Sequence, residues 1–170
     1  EYFRIGLTYS SNAIEGNTLS LDETRMVIEE GITIGGKTVR EHNEAIKQKK
    51  ALDFIESAIK EKKEINEELL FSLHKIILEG IEDEEIGIYR LRKVYVEGAS
   101  FVPPKPALIP GLMKEFLQWL KESRHKEDSI ETAAMMHEKF TFIHPFIDGN
   151  GRIARLLTNI FLMQRGFPAV

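Results

Sequence analysis

The chain has 170 residues, 42% hydrophobic and 29% charged, no cysteine and a formal charge of −4. Roughly 70% of the unfolded surface can be buried at this length, so one packed domain over residues 1–170 is expected, without disulfides or thiolate metal sites. A mildly acidic chain has no general attraction for nucleic acid or anionic membrane. It also lacks a signal-peptide pattern and any apolar run of the roughly 18 residues that span a bilayer. A soluble, cytoplasmic protein is expected, with neither nucleic acid nor membrane as partner.

In chain order, the first informative stretch is SNAIEGN, Ser11 to Asn17. Ser11 and Glu15 are one helical turn apart, and Gly16 is a natural helix stop. Glu15 thus sits at a helix C-terminus, where a negative charge is unfavourable by roughly 0.3–1 kcal/mol. A compensating cation is expected nearby, although on spacing alone a water-facing carboxylate is the favoured reading. Ser20-Leu-Asp-Glu23 is a capping box ahead of Thr24 to Glu30, closed by Gly31. Thr38-Val-Arg-Glu41 is a second box, opening a helix to about Lys62 on the apolar positions Ala45, Leu52, Ile55 and Ile59.

Asn66 can cap a helix from Glu67 to Glu79 with an apolar stripe of Leu69, Leu70, Leu73, Ile76 and Ile77. Further helices are predicted from near Ile109 to Ser123, near Ser129 to Phe142, and near Gly151 to Arg165 before Gly166. The class is mainly α. The exception is KVYVEGASFVPP, Lys93 to Pro104, where β-branched and aromatic residues flank Glu97-Gly98, predicting one short β-hairpin. The mixed-sign run Lys60 to Glu64 reads as a solvated helix end.

HPFIDGNGRIAR, His144 to Arg155, carries the chemistry. The residue before a proline is pushed out of the α region, so His144 sits on a turn. Gly149 and Gly151 allow close backbone approach, and the motif feeds a helix N-terminus, whose unpaired N–H groups and partial positive charge suit phosphate. Arg152 and Arg155 are three apart and are expected to reach one anion from one helix face. Asn150 adds a neutral donor. Asp148 would repel phosphate unless a hard cation such as Mg2+ lies between them. His144 can then act as a general base toward a hydroxyl. For His42, His74, His125 and His137 a structural role is the preferred reading. There is no GxxxxGK loop, and His137-Glu138 lacks the second histidine of a zinc-protease helix, since position 141 is Thr.

The same twelve residues resemble the signature of Fic domains, HPFx(D/E)GNGRxxR, at every specified position. The flanking EGITIGGKTVREHNEAI and GIYRLRKVYVEG segments are similar to that family too, so the resemblance covers nearly the whole chain. It implies a Fic-type helical bundle with one hairpin flap, and transfer of AMP from Mg-ATP to a Ser, Thr or Tyr hydroxyl of a target protein. By position it makes His144 the base and Asp148 the Mg2+ ligand. Asn150 and the amides around Gly149 and Gly151 cradle the inner phosphates, and Arg152 and Arg155 bind the distal ones. Residues 93–103 become the flap that docks the target by strand addition, with Val94, Tyr95, Val96, Glu97, Gly98 and Phe101 as its contacts. Gly151 stands where a kinase-like branch of the family commonly has Lys, which weighs against phosphorylation.

SNAIEGN matches the family's inhibitory motif, (S/T)xxxE(G/N). The resemblance therefore implies an inhibitory helix over about residues 8–16, with Glu15 pairing Arg155 and keeping the ATP γ-phosphate from a productive position. Two alternatives stay open: removal of AMP with Glu15 orienting a water, and a nucleotide-sensing binding module with little turnover. The chain ends soon after the signature helix, so a missing C-terminal helix or appended domain is expected. A homodimer is compatible with the sequence, but no pattern in it encodes one.

Overall fold

Four helix starts in the fold are written locally in the sequence as side-chain caps. Ser20 Oγ accepts from Glu23 N while Glu23 returns a bond to Ser20 N, and Thr38 and Glu41 make the same reciprocal pair. Asn66 and Asp128 accept from the third helical amide of their helices at 2.9 and 2.8 Å. These caps satisfy donors that a helix start leaves orphaned.

A computed structural model describes residues 2–81, 84–96, 98–123 and 128–170. Helix α1 spans Tyr2–Ile14, α2 Leu21–Arg25 continuing as a π-turn over Met26–Glu30, α3 Val39–Lys60, and α4 Glu67–Leu78. After a 3-10 turn at Pro106–Leu108 come α5 Ile109–Glu122, α6 Ser129–Ile143 and α7 Asn150–Met163. The mainly α class is therefore observed. Among the described residues no helix is long and apolar enough to cross a membrane.

Helix α7 is the centre of the bundle. Ile153, Ala154, Leu156, Leu157, Ile160, Phe161 and Leu162 are all buried, so the helix is apolar on nearly every side, as befits a helix surrounded by others. It packs on α6, α3, α4 and α1, with Leu70, Leu73, Ile77, Met113, Met136, Phe140 and Phe146 completing the core. Its N-terminus is thereby fixed at the surface where α3, α4 and the α6–α7 loop meet.

Helix α1 starts earlier than the expected inhibitory helix from about residue 8, because Ile5 and Leu7 already pack inward. It lies against α3 and α7 and is tied by Arg4 to Asp53 and Glu56. Its polar side is incompletely satisfied. Asn12 is buried with neither amide atom partnered, and Gln48 Oε1 opposite it is likewise alone among the described residues.

Lys93 to Pro104 departs from the expected hairpin. Residues 93–96 are without regular structure, Gly98 turns at φ 74°, and a bond from Ala99 N to Val96 O closes the turn, but no strand ladder forms among the described residues. Glu97 lies outside them, as does His125. A lone two-stranded ribbon with no sheet beneath it is marginal in water, which accounts for a loop where alternation predicts strands.

Glu41 links the caps to α1. Besides closing the Thr38 box, it accepts from Thr18 N at 2.9 Å and Thr18 Oγ1 at 2.5 Å. These four bonds, the Thr18 hydroxyl foremost, hold its carboxyl at about 2, below the ordinary 4.5. A depressed carboxyl stabilises above its unfolded value and loses that contribution as pH falls through the folded one. Glu41→Gln should cost about 1–2 kcal/mol at pH 7. In urea melts the deficit should shrink below pH 4.5 and vanish near pH 2.

Candidate active site

The signature loop begins where α6 cannot continue. Pro145 excludes the α conformation at His144, which caps α6 in the left-handed region at φ 49°, ψ 60°. That turn swings the imidazole off the α6 face. Its Nδ1 lies 3.2 Å from the Thr141 carbonyl, an acceptor only, so Nδ1 carries the proton and Nε2 keeps a lone pair. Burial lowers the His144 pKa from 6.5. The Thr141 carbonyl, Asp148 and Glu15 oppose that shift, and Arg90 reinforces it. The imidazole is therefore neutral, and able to accept a proton, at physiological pH.

The loop is held from below and within. Phe146 is fully buried and stacks on His74 with centroids 4.0 Å apart and planes 14° from parallel. His74 Nδ1 accepts from Gly87 N at 2.8 Å, and burial pushes its pKa down to about 4. His42 is similarly committed, accepting from Ile34 N through Nε2 and reaching Thr38 O through Nδ1. Asn150 closes the loop: its Oδ1 accepts from Phe146 N and its Nδ2 donates one of its two hydrogens to Phe146 O.

Gly149 caps α7 at φ 77°, ψ 6°, with no side chain bonded to the first amides. The N–H groups of this helix start are open to an anion. Arg152 and Arg155 do not share one direction, as their spacing suggested. Arg152 turns inward, 2% exposed, to Asp148 Oδ2 at 3.4 Å, and its Nε is buried without a partner. Arg155 turns toward α1, donating through Nε to Ser11 Oγ and through Nη2 to Ser11 O, both at 2.9 Å, and to Glu15 Oε1 at 2.6 Å. Burial on α7's inner side captures the first arginine, and α1 captures the second.

Glu15 reaches this position because α1 stops on time. Gly16, at φ 92°, ends the helix, and the amides of Glu15, Gly16 and Asn17 bond back to the last turn. The carboxylate then lies over the start of α7, so close that a Cβ at Gly151 would run into Glu15 Oε1. The cation demanded by the α1 C-terminus is Arg155.

Asp148 faces the same mouth, its side chain 34% exposed, and pairs with Arg40 Nη2 at 3.0 Å. Sequence reasoning gave Arg40 no role. One carboxylate beside open helix amides suits Mg2+, which completes its shell with water and substrate phosphate rather than with a protein cage. Among the described residues there is no group of three or more His, Cys, Asp or Glu around a common point. Tyr95 is 77% exposed, Val94 and Val96 are half-buried, and Phe101 stacks on Phe142 of α6 at 5.2 Å. Arg90, also unassigned from sequence, is fully buried behind His144.

Comparison with known proteins agrees with this geometry. Residues 64–162 match the Fic/DOC family. The chain is 43% identical over 165 residues to protein adenylyltransferase fic-1 of Caenorhabditis elegans, and 40% identical over 163 residues to protein adenylyltransferase Fic of Drosophila grimshawi. Each alignment takes in 95% of this chain but 32% and 33% of the relative, so the chain spans about a third of their length. Among solved structures, a Fic domain containing signaling protein from Bacteroides thetaiotaomicron superposes with a TM-score of 0.91 at 31% identity, covering 99% of this chain and 65% of that one. A fragment of C. elegans Fic-1 gives 0.87 at 41% identity, covering 98% and 49%.

The contact between Glu15 and Gly151 can be tested by a double-mutant cycle. Alanine is a better helix former than glycine by about 1 kcal/mol. Gly151→Ala should nevertheless destabilise the chain by about 1 kcal/mol, because its methyl pushes Glu15 off Arg155. In a Glu15→Gly background the same change should be neutral or stabilising, a coupling of about 1–2 kcal/mol in denaturant melts. Equal effects in both backgrounds would show that the carboxylate does not rest there.

Proposed function

The chain belongs to the Fic/DOC family, and from that premise we propose that it transfers AMP from ATP to a hydroxyl side chain of a target protein, restrained by its own Glu15. The observation that carries this reading is Arg155 held by Ser11 and Glu15 at an open helix N-terminus beside a neutral histidine. Relatives at 40–43% identity bear the name protein adenylyltransferase.

In the proposed reaction, Nε2 of His144 takes the proton of a Ser, Thr or Tyr hydroxyl as its oxygen attacks the α-phosphorus. The bond from phosphorus to the bridging oxygen breaks, pyrophosphate leaves, and AMP remains esterified to the target. The first α7 amides balance charge on the inner phosphates and Arg152, already turned toward Asp148, does so on the distal ones, both preorganised before substrate arrives. Asp148 would hold Mg2+, which supplies the positive charge that lets a carboxylate and phosphates share the mouth. Residues 93–103 present the target. Glu15 occupies the anion position over Gly151 and withholds Arg155 from the γ-phosphate, so ATP is held unproductively until α1 yields.

Glu15 is also close enough to act on the His144 imidazole through space. That proximity favours a second use of the same carboxylate, orienting a water for removal of AMP. Release of AMP from a labelled target, lost in Glu15→Gly, would distinguish it.

Glu15→Gly should raise incorporation of label from α-labelled ATP into protein by about 10- to 100-fold, the range for a lost charge-assisted pair. Adding His144→Ala should lower it by about 10²- to 10⁴-fold. Transfer of γ-label by the Glu15 variant would overturn the reaction assignment.

The depressed His144 pKa sets the pH profile. The base is competent above its folded pKa, so activity should be flat through neutrality with an acid limb below 6.5. In Glu15→Gly, which removes a group that raises that pKa, the limb should move lower still. A limb above 6.5 would contradict a buried base.

A further inference from the structure

Arg90 is 1% exposed, yet no carboxylate among the described residues pairs with it; Glu85 acts on it only through space and is itself paired with Arg92. Its partners are main-chain carbonyls. Nε donates to His144 O at 2.7 Å, Nη1 to Arg92 O at 2.9 Å and Nη2 to Pro104 O at 2.7 Å, while its own amide donates to Pro145 O at 2.9 Å. A buried guanidinium without a counter-charge is a costly way to fill volume, since an apolar side chain of similar size does so more cheaply. What the guanidinium provides is three rigid, divergent donor directions, which lysine cannot supply.

Those directions end on three separate places: both ends of the flap and the catalytic turn. Resting on the transfer reading above, we infer that Arg90 is a positioning residue that clips the target-docking flap to the main chain of His144, so that a target docked on one is registered with the other. The flap has little else to hold it. Tyr95 and Val102 are 77% and 65% exposed, no ladder forms, and the stack of Phe101 on Phe142 is its one aromatic anchor among the described residues. Residue 92 and residue 104 are therefore brought together by one side chain, and the carbonyl that completes the set belongs to the base itself. Misplacement of a reacting group by an ångström can cost 10²-fold or so in rate, which makes registry at this point consequential.

The test uses the 170-residue chain carrying Glu15→Gly, with Arg90→Lys and Arg90→Met as variants; Met fills the space without charge and guards against simple misfolding. Readouts are the melting temperature, MgATP affinity by calorimetry, amide exchange between residues 93 and 102, and α-label transfer to increasing amounts of lysate protein. Loss of charge-assisted bonds to the clip predicts amide exchange about tenfold faster and a half-saturating acceptor concentration about tenfold higher. MgATP affinity should stay within about twofold, while maximal labelling should fall by about 10- to 10²-fold as registry with the base is lost. Unchanged flap exchange or unchanged acceptor dependence overturns the inference. So does a parallel collapse of melting temperature and MgATP affinity in both variants, which marks Arg90 as a core residue only. If the Glu15→Gly parent itself transfers no label, the transfer reading fails instead, and the exchange measurement still decides whether the clip exists.

Discussion

An uncapped helix start at the end of a fully enclosed helix is the constraint from which the rest of the site follows. Helix α7 is apolar on nearly all sides and packed against four neighbours, so it cannot slide or tilt to find partners for its first amides. Gly149 reverses the chain there without supplying a capping oxygen, and an anion must come from elsewhere. A carboxylate from α1, that of Glu15, lies over Gly151 and is paired with Arg155. On the function proposed above, phosphate competes with that carboxylate for Arg155.

The signature turn is arranged so that little of it can move. His144 owes its direction to a left-handed cap where Pro145 bars the helix from continuing, its tautomer to the Thr141 carbonyl, and its height to Phe146 stacked on a neutral His74. Arg90 and Asn150 then fasten the loop from either end with main-chain bonds. The groups that move in the proposed cycle, Glu15 and Arg155, are at its rim.

Much of this was legible in the residues. Capping boxes at Ser20 and Thr38, the Asn66 cap and the stripe of Leu69 to Ile77 announce helices that the structure contains, because caps and periodicity are local. The loop at His144 and the anion-suited helix after it follow from proline and glycine alone. What spacing could not supply was anything spanning the chain. It favoured water for Glu15, and only the resemblance pointed to Arg155, some 140 residues away. It aimed Arg152 and Arg155 together, whereas burial parts them, and it gave no sign that Asn150 also fastens the Phe146 backbone. Alternation in the flap predicted strands, but strands need a partner surface. Arg40 and Arg90 carried no local sign, since each matters through a contact with the distant signature loop.

The docking of α1 has a further consequence. Asn12 and Gln48 enter the α1–α3 interface with amide atoms that find no partner there. Those atoms would be hydrated if the helix lifted away, so part of the cost of exposing Ile5 and Leu7 to water is repaid by solvent at the same moment. Helix α1 is therefore held less tightly than its buried apolar area alone implies, and the bonds of Arg4 and Arg155 carry a correspondingly larger share of the docking.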